Sequence, residues 1–347
     1  MAKVMVAMSG GVDSSVAAGL LVQQGHEVVG ATLKLWGGSS DSGCCSVSDV
    51  EDARRVAAQL GVKHFVFNFT DEFEDKVVTP YVLAHSEGET PNPCADCNRY
   101  IKFDLLLERA TRLGFDYLAT GHYAQVVEEN GKKYLKRGVD RAKDQSYVLS
   151  MLRGWQIERL MLPVGGYPKP EVRELARAMG FRTADKADSL EVCFITKSEG
   201  RTNFLNERIP LRKARVVDAR TKEEVNLDLT FETVTVGQRK GVGTLGDAKR
   251  HYVLAKDPRS ATVVLGSDRD LLTTTQDIHN LVSVYDRESD LMDKVLQVQG
   301  AAHGATVAAR LFGRELRYLQ PRRLVAPGQL LAFYEDDVVL GSALVKG

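Results

Sequence analysis

Val4-Met5-Val6-Ala7-Met8-Ser9-Gly10-Gly11-Val12-Asp13-Ser14-Ser15 carries an unbroken apolar run into a pair of glycines and then into helix-forming residues. The apolar run suits a parallel strand covered on both faces. Val16-Ala17-Ala18-Gly19-Leu20-Leu21-Val22 reads as the following helix, stopped by Gly25, and residues 27–33 read as the next strand, so the chain opens on a βαβ unit. The turn between strand and helix is suited to an anion. Gly10 and Gly11 let the backbone approach a phosphate, successive N–H groups face inward, and the positive end of the helix dipole lies behind them. Ser9, Ser14 and Ser15 add hydroxyl donors. Asp13 would repel a phosphate unless a divalent cation lay between them, which implies Mg²⁺. No Lys follows the glycines as in a Walker A loop, and the glycine spacing is not that of a dinucleotide fingerprint. The plain alternative is an ordinary glycine-rich βα turn.

Outward from this unit the same alternation continues. Ser48-Asp49-Val50-Glu51 reads as a capping box for a second helix, with Ala53, Val56, Ala57 and Leu60 on one face and a stop at Gly61. A strand follows over 64–69, then a helix over 103–113 with a stop at Gly114 and a strand over 117–120. Pro170 opens another helix, with Val172, Leu175, Ala176 and Met179 on its apolar face and its end at Gly180. Alternation up to about residue 195 predicts a doubly wound parallel sheet with ligands at the carboxyl ends of its strands. Beyond residue 200 helices are scarce. Short β-rich runs dominate, over 215–217, 231–236, 261–265, 295–298 and 306–310, and a closing hairpin turns around Glu335-Asp336-Asp337. Pro258 and the polar run over 267–276 mark a further boundary. The expected architecture is α/β: a doubly wound domain over 1–200, a central linker domain over 201–270 and a C-terminal β-barrel-like domain over 271–347. There are no internal repeats or low-complexity tracts.

The 347 residues are 44% hydrophobic, with 46 Lys plus Arg balancing 46 Asp plus Glu. A large core is affordable in length, and no global charge announces a nucleic-acid partner. Basic surface, if used, is local. Arg310, Arg314, Arg317, Arg322 and Arg323 lie close in sequence with Phe312 and Tyr318 among them, and Arg201, Arg208, Arg212, Lys213 and Arg215 form a second group. Arginine with aromatics suits phosphate contacts and base stacking; a solvated charged face is the bland reading. No charged region precedes an apolar core and cleavage site at the N-terminus, and no apolar run approaches the ~18 residues of a membrane span. A cytoplasmic location without membrane partners is expected.

The five cysteines, an odd number, point away from a disulfide framework and toward thiol chemistry or metal binding. Asn92-Pro93-Cys94-Ala95-Asp96-Cys97-Asn98 places a C-x-x-C in a loop-like, proline-bounded segment, and Cys193 stands alone in Val192-Cys193-Phe194. A C-x-x-C alone has three meanings: half a zinc site, a redox dithiol or part of an iron–sulfur ligand set. With no second C-x-x-C, three cysteines suit either a 4Fe-4S cluster with one open iron or a sulfur carrier with a partner thiol. Cys44 and Cys45 read as bystanders, since adjacent cysteines rarely face one site.

The glycine turn resembles the SGGxDS pyrophosphate loop of ATP pyrophosphatases. Together with Cys44-Cys45-Ser46, Thr90-Pro91-Asn92-Pro93, Cys97-Asn98-Arg99, Thr120-Gly121-His122-Tyr123-Ala124, Lys143-Asp144-Gln145-Ser146-Tyr147, Asp188-Ser189, Glu191-Val192-Cys193-Phe194 and Thr235-Val236-Gly237-Gln238-Arg239, it makes the chain similar over essentially its whole length to the bacterial tRNA-specific 2-thiouridylases. That resemblance implies an ATP-dependent sulfurtransferase that thiolates the wobble uridine of tRNAs for Lys, Glu and Gln. It implies ATP on Ala7, Met8, Ser9, Gly10, Gly11, Val12, Asp13 and Ser14, with further contacts at Leu33 and Gly121. It assigns the persulfide to Cys193 and the nucleophile to Cys97, the target base to Asn92, Pro93 and Cys94, and tRNA contacts to Lys143, Asp144, Gln145, Arg317 and Tyr318. A sulfur donor such as a cysteine desulfurase or relay protein is implied as a partner. The chemistry agrees: a carbonyl oxygen does not exchange for sulfur until adenylation makes it a leaving group, and an anionic sulfur attacker at Cys97 is served by Arg99 and Lys102 nearby. One departure stands out. The family pattern has Asp directly after Asn-Pro as acid/base catalyst, and here that residue is Cys94. Either Asp96 takes the role, or Cys94, Cys97 and Cys193 ligate a 4Fe-4S cluster whose open iron holds sulfide. Amide-forming ATP pyrophosphatases, and a non-catalytic tRNA-binding or redox-sensing protein that keeps the nucleotide fold, are the other readings.

Overall fold

The computed structural model describes residues 1–36, 46–188, 192–195, 200–243, 250–285 and 287–347. Cys44, Cys45, Ser189 and Glu191 lie outside the described residues. The N-terminal sheet is all parallel. Strands β1 (Lys3–Ala7), β2 (Glu27–Lys34), β3 (Lys63–Asn68), β4 (Tyr117–Thr120) and the short β7 (Leu160–Met161) lie in the order β3-β2-β1-β4-β7. Helices α1 (Val12–Gln23) and α2 (Val47–Gln59) follow β1 and β2. Strand order reverses between β1 and β4, so the crevice beyond their carboxyl ends opens between Met8 and Gly121. β1 and α1 put Val4, Val6, Val16, Ala17 and Leu21 into the core, as a strand and helix enclosed on all sides require, with Ser14 and Ser15 the buried polar residues of the helix start.

Two helical runs cover the other face. Residues 70–86 form α3, with a π-helical stretch at Glu74–Val78, and residues 93–112 form α4, with a π-helical stretch at Cys97–Leu106. The C-x-x-C therefore sits in the first turns of a helix and not in a loop. Asn92 caps it, accepting at 3.3 Å from the Ala95 N–H, and Pro93 fills the first helical position, where its missing N–H costs nothing. The cap of α2 differs from expectation in the same way. Ser46 and not Ser48 is the N-cap, its Oγ accepting from the Asp49 N–H at 3.1 Å.

The strand–helix alternation is interrupted by a hairpin, β5 (Ala124–Glu129) and β6 (Lys132–Arg137), turning at Asn130 and Gly131. It joins the C-terminal sheet, not the parallel one. After α5 (Lys169–Ala178) and α6 (Gly200–Asn206), β8 (Arg215–Asp218), β9 (Glu224–Val225), β10 (Tyr252–Asp257) and β11 (Thr262–Gly266) form a four-stranded central sheet, ordered β10-β11-β8-β9. Phe231–Thr233, expected as strand, is a 3₁₀ turn: the Glu232 side chain, 1% exposed, turns inward to accept from Arg212 Nε at 2.7 Å, and Phe231 is buried between the cations of Arg212 and Lys256. The last strands, β12 (Leu272–Ser283), β13 (Leu296–Gln299), β14 (Val307–Phe312), β15 (Glu315–Arg323), β16 (Leu330–Glu335) and β17 (Val338–Val345), run in the order β12-β15-β14-β13-β16-β17 and close through β12–β17 pairing into an antiparallel barrel, with β6 added beside β17. The polar run over 267–276 enters this barrel as the start of β12. β16 and β17 are the closing hairpin read from the sequence.

Candidate active site

Gly10 and Gly121 explain why the phosphate turn is tight. Gly10 has φ of +71°, and a Cβ there would lie 2.2 Å from the Asp49 carbonyl oxygen; a Cβ on Gly121 would lie 2.6 Å from the Asp13 carbonyl carbon and from the Ser14 nitrogen. The end of β4 is thus pressed onto the backbone that starts α1. Within the turn, the Ser9 N–H donates to Ser14 Oγ at 3.1 Å, and Ser15 Oγ donates to the Gly11 carbonyl at 2.8 Å. Ala7 and Leu33 lie on neighbouring strands beneath it, and Met8 and Val12 are buried on either side of the glycines.

Lysines hold the turn from behind. Lys186 Nζ donates to the Gly10 carbonyl at 3.0 Å, to Asp49 at 2.6 Å and to Asp52 at 2.8 Å; burial works against its charge, but the two carboxylates outweigh it and raise its pKa. Lys169 Nζ contacts both Asp13 oxygens, at 2.7 and 2.9 Å, and the Tyr123 hydroxyl donates to Asp13 Oδ1 at 2.7 Å. Burial, then the bond to Asp13, raises the Tyr123 pKa. Asp188 accepts from Lys143, Lys169 and Arg173, each at 2.9 Å; burial pushes its pKa up, yet Lys169 and Lys143 hold it at about 2. Asp13 is therefore not the open carboxylate that would call for a divalent cation. With both oxygens already taken by an ammonium and a phenol, the donor set does not fit a resident Mg²⁺.

A contact runs from this turn to the helix that carries Cys94 and Cys97. His122, next to Gly121, accepts or donates through Nδ1 with Thr120 Oγ1 at 2.7 Å, and its ring stands 5.8 Å from that of Phe103 on α4. Burial first, and Lys102 second, hold the imidazole pKa well below its usual value. Four residues along α4 from Asn98, Lys102 donates back to Asn98 Oδ1 at 2.9 Å. Cys97 is 8% exposed in the main core cluster, Cys193 packs against that cluster, and Cys94 is exposed. Phe194 fixes the Cys193 segment: its ring meets Tyr81 at 5.4 Å, Phe73 at 5.7 Å and Phe204 at 5.2 Å, a set of aromatic edges that locks one orientation. Asp96 lies between the α4 cysteines. Burial drives its pKa up to about 6, against a smaller pull from Arg99. Among the described residues, no three His, Cys, Asp or Glu side chains are gathered to hold a single metal ion.

Asn92 and Pro93 begin α4 and are held by the barrel. The Thr90 N–H donates to the Pro327 carbonyl at 2.8 Å, Gln329 Nε2 donates to the Thr90 carbonyl, and the Tyr147 hydroxyl, which also meets Asn92, donates to the Leu330 carbonyl at 2.8 Å. Of the expected tRNA contacts, Lys143 is occupied by Asp188. Asp144 is buried, accepting from Arg137 at 3.1 Å, the Gly138 N–H at 2.8 Å and Ser146 Oγ at 2.9 Å. Gln145 is exposed but accepts from the Tyr123 N–H at 3.0 Å. Arg317 is exposed and paired with Glu315, whereas Tyr318 points into the barrel core, its hydroxyl donating to Gln276 at 2.9 Å and its pKa pushed up to about 12 by burial. Both basic groups are largely spoken for: Arg314, Arg317 and Arg323 pair with Glu288, Glu315 and Asp268, and Arg212 reaches the Ser86 carbonyl to join the central sheet to α3.

Lys169, Lys186 and Tyr123 were not legible as site residues. Lys169 had one signal, a cation at the first position of a helix, where the dipole is unfavourable and a nearby anion must compensate.

Comparison with known proteins follows this division. Residues 2–197 match the family model described as tRNA methyl transferase HUP domain, 202–267 its PRC-barrel domain, and 277–345 the aminomethyltransferase beta-barrel domain. The curated tRNA-specific 2-thiouridylase MnmA of Carboxydothermus hydrogenoformans is 41% identical over 360 residues, covering 99% of this chain and 97% of that protein. Those of Herpetosiphon aurantiacus and Mycolicibacterium paratuberculosis are each 42% identical, covering 100% and 99% of this chain and 99% of either relative. Identity at this level along both chains, on a fold whose phosphate turn meets a cysteine-bearing helix, settles the family: the chain belongs to the tRNA-specific 2-thiouridylases.

Proposed function

We propose that this tRNA sulfurtransferase activates the C2 oxygen of the wobble uridine, in tRNAs for Lys, Glu and Gln, with ATP seated on residues 7–14, Leu33 and Gly121, and replaces that oxygen with sulfur carried by Cys193. The observation that carries the reading is the joining of the phosphate turn, through Gly121 and the His122–Phe103 contact, to the helix that holds Cys97, with Cys193 packed against the same core. The uridine oxygen attacks the α phosphate and pyrophosphate leaves. Cys97 thiolate then attacks the inner sulfur of the Cys193 persulfide; a Cys97–Cys193 disulfide forms, and the released hydrosulfide adds at C2 and expels AMP. An external thiol reductant reopens the disulfide, and a desulfurase or relay protein reloads Cys193. ATP enters as its Mg²⁺ complex, so the metal belongs to the substrate.

Asp96 takes the acid/base role that the family pattern gives to the residue after Asn-Pro. A carboxyl with a pKa of about 6, one residue from Cys97, exchanges a proton near neutrality, as such catalysis requires. Asn92, Pro93 and Cys94 face the base, and Lys143, Gln145 and Arg317 lie toward the RNA, with Asp144 and Tyr318 buried behind them. Residues 1–200 do the chemistry, 201–270 link, and 271–347 bind tRNA, in the cytoplasm. The alternative sulfur carrier is a 4Fe-4S cluster, which Cys94, Cys97 and Cys193 would ligate, leaving one iron open to hold sulfide. Iron and acid-labile sulfide analysis after anaerobic purification tests that point: stoichiometric iron would overturn the thiol route.

The direct test uses tRNA transcript, ATP, Mg²⁺ and a persulfide donor, with mass spectrometry of nucleosides and a pyrophosphate assay. Cys193→Ser and Cys97→Ser should abolish 2-thiouridine while leaving pyrophosphate release. Undiminished 2-thiouridine after Cys193→Ser would overturn the persulfide role of Cys193, and no pyrophosphate release from the wild type would overturn activation by ATP.

A further inference from the structure

Lys169 opens α5, where its ammonium meets the positive end of the helix dipole, and it is 7% exposed. Both conditions disfavour a charged lysine unless anions surround it. They do. Its Nζ lies 2.7 and 2.9 Å from the two oxygens of Asp13 and 2.9 Å from Asp188 Oδ1, and the Tyr123 ring stands 5.5 Å away while its hydroxyl donates to Asp13. Asp188 is further held by Lys143 and Arg173. Asp13, in the first turn of α1, is thus compensated by the chain itself at the point where the phosphate turn would otherwise present a bare carboxylate to a polyanion. A metal ligated by Asp13 would have to displace that ammonium or lie against it.

We propose that Lys169 is the resident cation of the phosphate turn, a positioning residue that neutralises Asp13 in place of a metal, so that the turn takes a nucleoside triphosphate without a metal bridge from Asp13. Tyr123 and Asp188 hold the ammonium there. This rests on the reading of the turn as an ATP site. Removing Lys169 uncovers one carboxylate a few ångström from the phosphates in a partly buried place, which weakens metal-free binding roughly tenfold to a hundredfold. Removing the Asp13 charge as well removes the cause.

The test is binding of a fluorescent ATP analogue to the full-length protein, in EDTA and in excess Mg²⁺, with melting temperatures recorded alongside. In EDTA, the wild type and Lys169→Arg should bind within about threefold of one another, Lys169→Met should lose roughly tenfold or more, and Lys169→Met/Asp13→Asn should recover most of that loss. Mg²⁺ should rescue Lys169→Met, by giving the bared carboxylate a cation. A double variant as weak as Lys169→Met, or a wild type that loses binding in EDTA as fully as Lys169→Met does, would overturn the proposal. A wild type that binds the analogue in neither medium would overturn the ATP reading itself, and this inference with it.

Discussion

Replacing Asp96 with Asn separates stability from catalysis in a way that a merely structural acid does not. Burial pushes the Asp96 carboxyl from its ordinary 3.8 up to about 6, outweighing the smaller pull of Arg99. For an acid with a raised folded pKa, the protonated form is the favoured one in the fold. Its contribution is present below the unfolded pKa and is lost as pH rises from about 4 through about 6. That rise corresponds to about 3 kcal/mol of penalty above pH 7, an upper bound for a group that water partly reaches. Asp96→Asn, isosteric and uncharged, removes that penalty. The variant should therefore be more stable than the wild type at pH 8, by about 1–3 kcal/mol, with the difference shrinking toward zero near pH 4. Thiolation should fall by about 10²–10⁴, the usual value of a positioned acid/base. Thermal melts at pH 4, 6 and 8, with single-turnover formation of 2-thiouridine measured at pH 8, decide it. A variant with no pH-dependent stability gain would refute the burial argument. A stabilised variant with undiminished thiolation would refute the catalytic one.

Other perturbations follow from the same geometry. Gly121→Ala sets a Cβ 2.6 Å from backbone of both Asp13 and Ser14, which cannot yield as a side chain would; it should cost about 1–3 kcal/mol and at least tenfold in ATP affinity, read by melting and by equilibrium binding. His85 is 1% exposed, and burial, then Arg201, lower its pKa to about 4. As a base with a depressed folded pKa, it contributes stability above about pH 6.5 that is lost as pH falls through about 4, so His85→Phe should flatten acid destabilisation in that window by up to about 3 kcal/mol in pH-dependent melts. Arg137 spans the domains, donating to Asp144 at 3.1 Å and to Gln299 on β13 at 2.9 Å over the ring of Tyr334. Arg137→Leu leaves Asp144 buried without its cation and should cost about 3–5 kcal/mol, with hydrogen exchange rising first along β5 and β6.

What could be read from the chain, and what could not, follows from how local each determinant is. The β1–turn–α1 unit is specified within residues 4–25 by apolar continuity, two glycines and a helix stop, and the structure reproduces it. The hairpin at β5 and β6 carried an equally local signal, Asn130-Gly131 with φ of 53° and 73°, the pair that a tight right-twisted hairpin favours. What no local pattern carries is its partner, β17, which lies about two hundred residues away. Pro93 misled in the opposite sense. Taken as the border of a loop, it is the first residue of the helix that presents Cys97, and that difference matters chemically, since a helix start gives Cys97 and Asp96 fixed positions that a loop would not. The charge network on Asp13 was beyond reach: Lys169 stands 156 residues from it in sequence, and nothing in either local pattern requires the other. Sequence placed the carboxylate at the phosphate turn and, seeing no partner, called for a metal. The fold supplies an ammonium there, so the cation that the electrostatics demanded was correct in charge and different in kind.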